Sequence, residues 1–270
     1  IQADRKNRLW VVDNGNGPVV QAPRIFAFDM STEELVFSYT FPEDVGPQGS
    51  FLQDLAVDDE NEFVYLADTG INFSPAIVVL DVINRRSRRF EDHFSLQSED
   101  VDLIVDGRRI EIEADDGAPR PVRVGINPIT LSPDMEKLYY GAMTGESWYY
   151  IPTRLFREWA DDEKIQRFIY IQGEKPISDG ASTDLEGNHF FTNVGNNAID
   201  RLDALKDLET FVRDDRLSWP DALSFGPDGW LYIAVNQLHR SPRFNQGQEG
   251  AQLPYLIMRV KTGTQGIPGR

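Results

Sequence analysis

Four polar residues occupy the same place in four copies of one sequence pattern, and their side chains are suited to binding a cation. Each copy opens on one of Asp54, Asn127, Asp179 and Asp221. Three carboxylates and an amide form a hard, oxygen-rich set, which favours Ca²⁺ or Mg²⁺ over soft metals. Without a cation, their proximity would raise some of the carboxylate pKa values, and one carboxyl group could act as a general acid or base.

The pattern that carries these residues predicts the fold. After the opening residue, alternating apolar positions lead through a turn into a second β-rich run, as in Trp219 to Asn236. A unit of about 40 to 50 residues that contains only strands and turns is typical of one blade of a β-propeller. Because the first strand of each blade lines the central channel, we expect the four opening residues to meet at one mouth. Asp58 and Asp184 lie in the hairpin turns instead, where their side chains favour the turn itself.

The repeats extend over the whole chain and therefore predict a single domain. Residues 1 to 270 form a single all-β domain with five inner hairpins, each belonging to a blade of four antiparallel strands. Asp13 matches Asp68, so the residue that would open the first hairpin precedes Ile1. We therefore expect an incomplete first blade and a natural protein with a further N-terminal region. Residues 91 to 123 form an acidic, irregular insertion loop, either a solvated excursion or a lid over the channel mouth.

Composition narrows the possible partners. The net charge of −17 argues against nucleic acid and is compatible with attraction of cationic small molecules or metal ions. There is no cysteine, which excludes disulfides and thiolate metal sites, and no run of about 18 apolar residues that would span a membrane. No phosphate loop or dinucleotide fingerprint is present, so we expect no organic cofactor. The sequence assigns a catalytic role to no residue.

Three stretches resemble the Yellow and major royal jelly protein family. The first is Arg-Leu-Trp-Val-Val-Asp-Asn-Gly at 8–15, where family members carry a similar Arg-Leu-Trp-Val-Leu-Asp-Ser-Gly. The second runs from Gly125 through Tyr150-Ile151-Pro152-Thr153, and the third from Trp219 to Leu238. The cysteines of insect members are missing, so the chain looks like a bacterial member, which we expect to be secreted or periplasmic.

The resemblance implies a six-bladed propeller, with its N-terminal blade absent or incomplete here, and a small-molecule pocket at one end of the channel. Insect salivary members bind biogenic amines, and some Yellow proteins act on dopachrome-type catechol derivatives. The amine-binding positions fall on Asp221 and Asn236, and an aromatic family position falls on Leu238. A small cationic or aromatic ligand, bound and in some members converted, is the first functional hypothesis.

A more distant similarity, to the regucalcin and gluconolactonase propellers, implies a different function. That family holds a divalent cation such as Ca²⁺, and Asn127 and Asp221 stand where two of its ligands would be. The alternative hypothesis is therefore a metal-dependent lactonase or esterase, in which the cation polarises a carbonyl group and activates water. A third possibility is a propeller used only for protein docking. We expect a monomer whose partner is a small molecule.

Overall fold

Five antiparallel sheets, each made of strands that are consecutive in sequence, form the blades of a β-propeller in the computed structural model, which describes residues 1–70, 73–113 and 117–268. Blade 1 contains β1 Gln2–Ala3, β2 Arg8–Asp13, β3 Arg24–Asp29 and β4 Leu35–Thr40. Blade 2 contains β5 Leu52–Asp58, β6 Phe63–Asp68, β7 Ala76–Asp81 and β8 Arg86–Phe90. Between blades 2 and 3 lie β9 Ile104–Val105, β10 Arg108–Arg109, β11 Glu111–Glu113 and β12 Pro119–Pro121.

The remaining blades follow in the same order. Blade 3 contains β13 Ile126–Leu131, β14 Lys137–Ala142, β15 Ser147–Pro152, the helices α1 Thr153–Arg157 and α2 Asp162–Gln166, and β16 Tyr170–Glu174. Blade 4 contains β17 Ala181–Thr183, β18 His189–Asn193, β19 Ala198–Leu202 and β20 Leu208–Arg213. Blade 5 contains β21 Pro220–Phe225, β22 Trp230–Val235 and β23 Leu256–Lys261. No helix in this described part of the chain is long and apolar enough to cross a membrane.

The hairpin turns are stabilised by the acidic residues expected there. Asp58 Oδ1 accepts a hydrogen bond from the Asn61 amide at 2.9 Å, and Asp184 Oδ1 accepts from the amides of Glu186 at 2.9 Å and Asn188 at 2.8 Å. A side chain that caps its own turn in this way satisfies backbone donors that the hairpin leaves free. These carboxylates therefore stabilise their own turns.

The core consists of layers between adjacent blades. Trp10 and Val64 belong to the layer between blades 1 and 2, and Tyr65 and Tyr140 to the layer between blades 2 and 3. The next two layers are built around Trp148 and Phe191, and around Phe190 and Phe225. Because each sheet is covered by its neighbour, both faces of a blade such as blade 2 are apolar, and all residues of β6 and β7 are buried. This packing fixes the inner strands around one channel.

The structure confirms the all-β propeller and changes three details of it. The first sheet has four strands, because β1 pairs with β2 through Gln2 and Trp10, although β1 is only two residues long. Five blades are present among the described residues, in agreement with the five predicted inner hairpins, but blade 5 has three strands there and not four. The insertion at 91–123 is largely irregular as expected, but it also contains two short hairpins, β9–β10 and β11–β12. Its Asp115 and Asp116 lie outside the described residues.

Candidate functional site

Three of the four repeat-opening residues lie in irregular parts of inner strands. The register of β5 against β6 shifts between Leu52 and Leu55, that of β13 against β14 between Ile126 and Ile129, and that of β21 against β22 between Pro220 and Leu223. These shifts contain Asp54, Asn127 and Asp221. A bulge re-aims side chains and tolerates proline, and Pro128 and Pro220 flank two of the three polar residues. The fourth, Asp179, precedes β17.

Five of the six predicted ligand-binding residues line one cavity of about 430 Å³ at the mouth of the channel. They are Asn127, Asp179, Asp221, Asn236 and Leu238. Asp54 instead lines a neighbouring channel cavity of about 410 Å³ together with Leu9 and Tyr232, and Gln53 takes its place in the mouth cavity. The structure thus brings the predicted residues of blades 3, 4 and 5 to one cavity, whereas Asp54 lines the neighbouring one but lies close enough for the charge of Asp221 to raise its pKa. Their role in binding remains a prediction.

Asp179 is the most completely hydrogen-bonded member of the site. Asn127 Nδ2 donates to its backbone oxygen at 3.0 Å and to its Oδ1 at 2.5 Å, and the indole Nε1 of Trp219 donates to its Oδ2 at 2.6 Å. Trp219 has φ 57°, in the left-handed region that bulky residues avoid because of steric conflict. This uncommon backbone conformation directs the ring to Asp179, and strain of this kind is concentrated at functional sites.

Asp221 is held by its own hairpin. Its Oδ2 accepts a hydrogen bond from Asn236 Nδ2 at 2.7 Å, and Asn236 Oδ1 accepts from the amide of Leu238 at 2.9 Å. Gly180 gives this segment room, because a Cβ at that position would lie 2.2 Å from the backbone oxygen of Asp221. The close approach of the two chains brings Asp179 and Asp221 into the same cavity.

The site is short of positive charge. Burial and then the charge of Asp221 raise the pKa of both Asp179 and Asp54 well above the usual aspartate value, and burial also raises the pKa of Asp221. No Lys or Arg side chain in the described ranges lies within 4.0 Å of these three carboxylates. Asn127 is 1% exposed, and its Oδ1 has no hydrogen-bond partner there either. The cavity therefore offers several oxygen acceptors that are not in contact with a Lys or Arg side chain of the described residues, although the terminal ammonium group of Ile1 acts to lower the pKa of Asp54 and of Asp221.

A divalent metal ion does not fit these residues as a protein-bound cofactor. Both oxygens of Asp179 already accept hydrogen bonds, and one oxygen of Asp221 is bonded to Asn236. Among the described residues, no three acidic or histidine side chains come together closely enough to hold a metal ion. Calcium takes six to eight oxygen ligands, so Asn127 and Asp221 would supply only part of such a set. We therefore derive no chemical step through a metal.

Aromatic side chains border the cavity although Leu238 has replaced the expected ring. Trp219 and Phe244 both line it, and their ring centroids are 6.1 Å apart with the planes inclined by 25°. Trp219 also stacks on His239 at 6.0 Å. An electron-rich ring face attracts a cationic group, most strongly where water is excluded. The cavity thus combines acidic oxygens with aromatic surface.

The insertion covers one side of the cavity. Its residues Ile112, Val122 and Arg123 line the mouth. Arg108 joins the insertion to the loop between β22 and β23, because its guanidinium group donates to the backbone oxygens of Phe244 at 3.0 Å and His239 at 2.9 Å. The segment therefore lies beside the mouth, and its role as a lid stays a prediction.

Four cavity residues could not be found by reasoning from the repeat. Trp219 stands two positions before Asp221 in the stretch that forms blade 5, and this short distance in sequence was the signal that could have identified it. Phe244 and the arginines Arg123 and Arg243 also line the cavity, but they lie on the insertion and on the loop before β23. Those segments have no counterpart in the other blades, so no pattern marks them.

The hydrogen bond from Trp219 to Asp179 leads to a testable prediction. Trp219→Phe removes the indole N–H and leaves one oxygen of a buried carboxylate without a donor. A hydrogen bond to a charged group contributes about 1.5 to 3 kcal/mol, so we expect a loss of about 2 kcal/mol in the free energy of unfolding at a pH above the raised pKa of Asp179, where its carboxylate is charged. The loss should shrink at acid pH, where Asp179 is protonated. Urea denaturation measures it, with Trp230→Phe as the control, and equal losses in the two variants would contradict the assigned contact.

The fold and the site together define a class: a β-propeller with a small acidic and aromatic cavity at one mouth of its channel. The profile of the major royal jelly protein family matches residues 1–265, and the chain belongs to that family. The resemblance predicted from the three sequence stretches is thereby confirmed.

The chain is similar in sequence to individual members of this family. It is 27% identical to major royal jelly protein 1 of Apis mellifera over 216 residues and 29% identical to major royal jelly protein 6 of the same bee, in each case over 74% of this chain. It spans less than half of these relatives, 46% and 45% of their lengths.

Two solved structures share the fold. One is regucalcin, a calcium-binding protein from Agrobacterium tumefaciens, with a TM-score of 0.52, 15% identity, and coverage of 100% of this chain and 76% of that one. The other is a gluconolactonase from Xanthomonas campestris, with a TM-score of 0.55, 13% identity, and coverage of 87% and 68%. At these identities the similarity extends to the propeller alone.

Proposed function

We propose that this protein binds a small molecule that carries an ammonium group and an aromatic ring, in the cavity at the channel mouth. The observation that carries the proposal is the pair of acidic residues without a basic partner: Asp179 and Asp221 line a cavity beside Trp219, and no Lys or Arg side chain of the described residues is in contact with them. An ammonium group would neutralise these carboxylates, and the unpaired Oδ1 of Asn127 is a further acceptor.

The dimensions and lining of the cavity support a ligand of this class. A volume of about 430 Å³ lies in the range of small-molecule sites. Such sites are mostly apolar with a few convergent polar groups, and here Leu52, Met143 and Leu238 supply apolar surface around the acidic residues. Membership of the royal jelly family adds support, because the amine-binding positions that the resemblance implies fall on Asp221 and Asn236.

Calorimetric titration of the whole chain tests the proposal with a matched pair of probes. Tyramine and 4-ethylphenol have the same ring and chain length, but only tyramine carries an ammonium group. We expect tyramine to bind more tightly by a factor of about 30 or more, since a buried charge pair contributes roughly 2 to 5 kcal/mol when one partner is lost. Equal affinities, or no binding of tyramine and of dopamine, would reject a cation site.

The raised carboxylate pKa values predict how binding depends on pH. A quaternary probe such as phenethyltrimethylammonium keeps its charge at every pH, so only the protein titrates. We expect its affinity to rise by about tenfold with increasing pH, as Asp179 and Asp221 lose their protons above the usual aspartate range. The stability of the free protein should change in the opposite direction. Because the pKa of each group is higher in the folded than in the unfolded state, stability falls as pH rises through the folded-state value. An affinity independent of pH would contradict the proposed contact.

Proton transfer on the bound molecule is a second candidate function. A carboxyl group with a raised pKa can give and take a proton near neutral pH, and Asp221, partly exposed in the cavity, could do so toward a ligand. Dopachrome-type tautomerisation, in which a proton leaves carbon and returns to oxygen, is a reaction of this kind. Its test is the rate of dopachrome loss with wild-type protein and with Asp221→Asn, and a rate equal to that of buffer would exclude it.

A further inference from the structure

Two arginines lie at the exposed end of the mouth cavity, opposite in charge to its buried end. Arg123, in the segment between β12 and β13, and Arg243, in the loop before β23, both line the cavity that contains Asp179 and Asp221. Asp179 is 3% exposed, whereas Arg243 is an exposed residue. The cavity therefore has an acidic interior and a basic entrance.

The two arginines differ in whether they form ion pairs. Arg123 Nη2 donates to Asp100 at 2.9 Å and Asp102 at 3.2 Å, so its charge is already balanced by the insertion. Arg243 makes no ion pair within the described ranges, and its guanidinium carbon lies 5.5 Å from the centroid of the Phe244 ring. Arg243 is thus a planar donor at the cavity entrance, held beside an aromatic ring and without an acidic partner.

This arrangement favours a ligand that carries an acidic group in addition to its ammonium group. A guanidinium group at the entrance repels a simple amine, while it can bind a carboxylate or another acid through two parallel hydrogen bonds. The lining also includes Ile112, Leu238 and Phe244, which are apolar and suit the body of an aromatic molecule. The cavity therefore presents acidic, apolar and basic groups, as a zwitterion with an aromatic ring requires.

We infer that the ligand class is an aromatic zwitterion, with its ammonium group at Asp179 and Asp221 and an acidic group on Arg243. The inference rests on the proposed cation site and specifies what the ligand carries at its other end. A ligand that has lost its acidic group, as a decarboxylated amine has, would keep the first contact and lose the second.

Two matched pairs of probes test the inference by calorimetry at low salt. Tyrosine and tyramine place the acid next to the ammonium group, and 4-(aminomethyl)benzoate and benzylamine place it across the ring. An exposed ion pair is expected to contribute a factor of about two to five, so the acid should bind more tightly than its matched amine by that factor in at least one pair. The preference should weaken at high salt because the entrance is solvated.

Arg243→Gln should bring the ratio of the two affinities to about one. Arg167→Gln removes the same charge from an exposed position on the outer side of blade 3, and there the preference should persist. If both amines bind as tightly as their acids or more tightly, the zwitterion is wrong while the cation site stands. If neither member of either pair binds, both proposals fail. A preference that survives in Arg243→Gln would also overturn the role given to this residue.

Discussion

Asp221→Asn is expected to weaken tyramine binding about 100-fold without destabilising the protein, the size of loss seen when one partner of a buried charge pair is removed. Asparagine has the shape of aspartate and retains an oxygen that can accept the hydrogen bond from Asn236 Nδ2. The substitution therefore removes the negative charge and keeps the shape of the side chain and its hydrogen bond. Because the charge of Asp221 raises the pKa of Asp179 and of Asp54, its removal relieves repulsion among the remaining carboxylates.

Affinity and stability should therefore change in opposite directions in this variant. At pH 8 the free energy of unfolding of the variant should equal or exceed that of the wild type. Such a gain is common when the replaced residue serves a binding site at a cost in stability. Asp228→Asn is the matched control, because Asp228 is exposed in the turn of the same hairpin and its replacement changes the net charge equally. If Asp228→Asn lowered the affinity as much as Asp221→Asn, the effect would come from the overall field of the protein and not from contact.

Lys175→Met is expected to change the pH dependence of stability more than any other single substitution. Lys175 is 1% exposed, and its Nζ donates to the backbone oxygens of Gly145 at 2.6 Å and Pro176 at 3.0 Å. Burial lowers its pKa from 10.5 to about 7, and the carboxylates of Glu99 and Glu146 only partly offset this. The folded protein therefore holds this lysine neutral over a range of pH in which the unfolded chain keeps it charged.

The sign of the effect follows from proton binding. Between about pH 7 and about pH 10 the unfolded state binds one proton more than the folded state, so wild-type stability should rise by up to about 1.4 kcal/mol per pH unit relative to Lys175→Met. Over the whole interval the difference is about 3 to 5 kcal/mol. Urea denaturation at a series of pH values measures it. Lys164→Met, at an exposed position on α2, should show no such slope. Parallel curves for wild type and Lys175→Met would show that the ammonium group is not buried as described.

The repeat predicted the fold and much of the site because both depend on the same geometry. An opening residue at a fixed place in each hairpin must lie at the same level of the channel, so Asn127, Asp179 and Asp221 could be expected to converge without any coordinates. Asp54 shows the limit of this reasoning. The same bulge interrupts β5, β13 and β21, and within it Gln53 takes the position of Asn127 and Asp221, whereas Asp54 stands one position later. Gln53 therefore lines the mouth and Asp54 the neighbouring cavity.

What the sequence could not predict comes from segments that do not repeat. The ring of Phe244, the free guanidinium group of Arg243 and the insertion strands β9 to β12 are positioned by contacts specific to this chain, such as those from Arg108 to the loop before β23. Trp219 is an intermediate case. Its place beside Asp221 was visible in the sequence, but the left-handed backbone that directs its N–H to Asp179 was not.

A crystal structure of the protein with tyramine bound tests the central claim most directly. We predict density for the ligand in the mouth cavity, with its ammonium nitrogen about 3 Å from a carboxylate oxygen of Asp221 or Asp179 and its ring beside Phe244. Tyramine bound in the channel cavity beside Leu9 and Tyr232, bound with its ammonium group in solvent, or not bound at all would contradict the account.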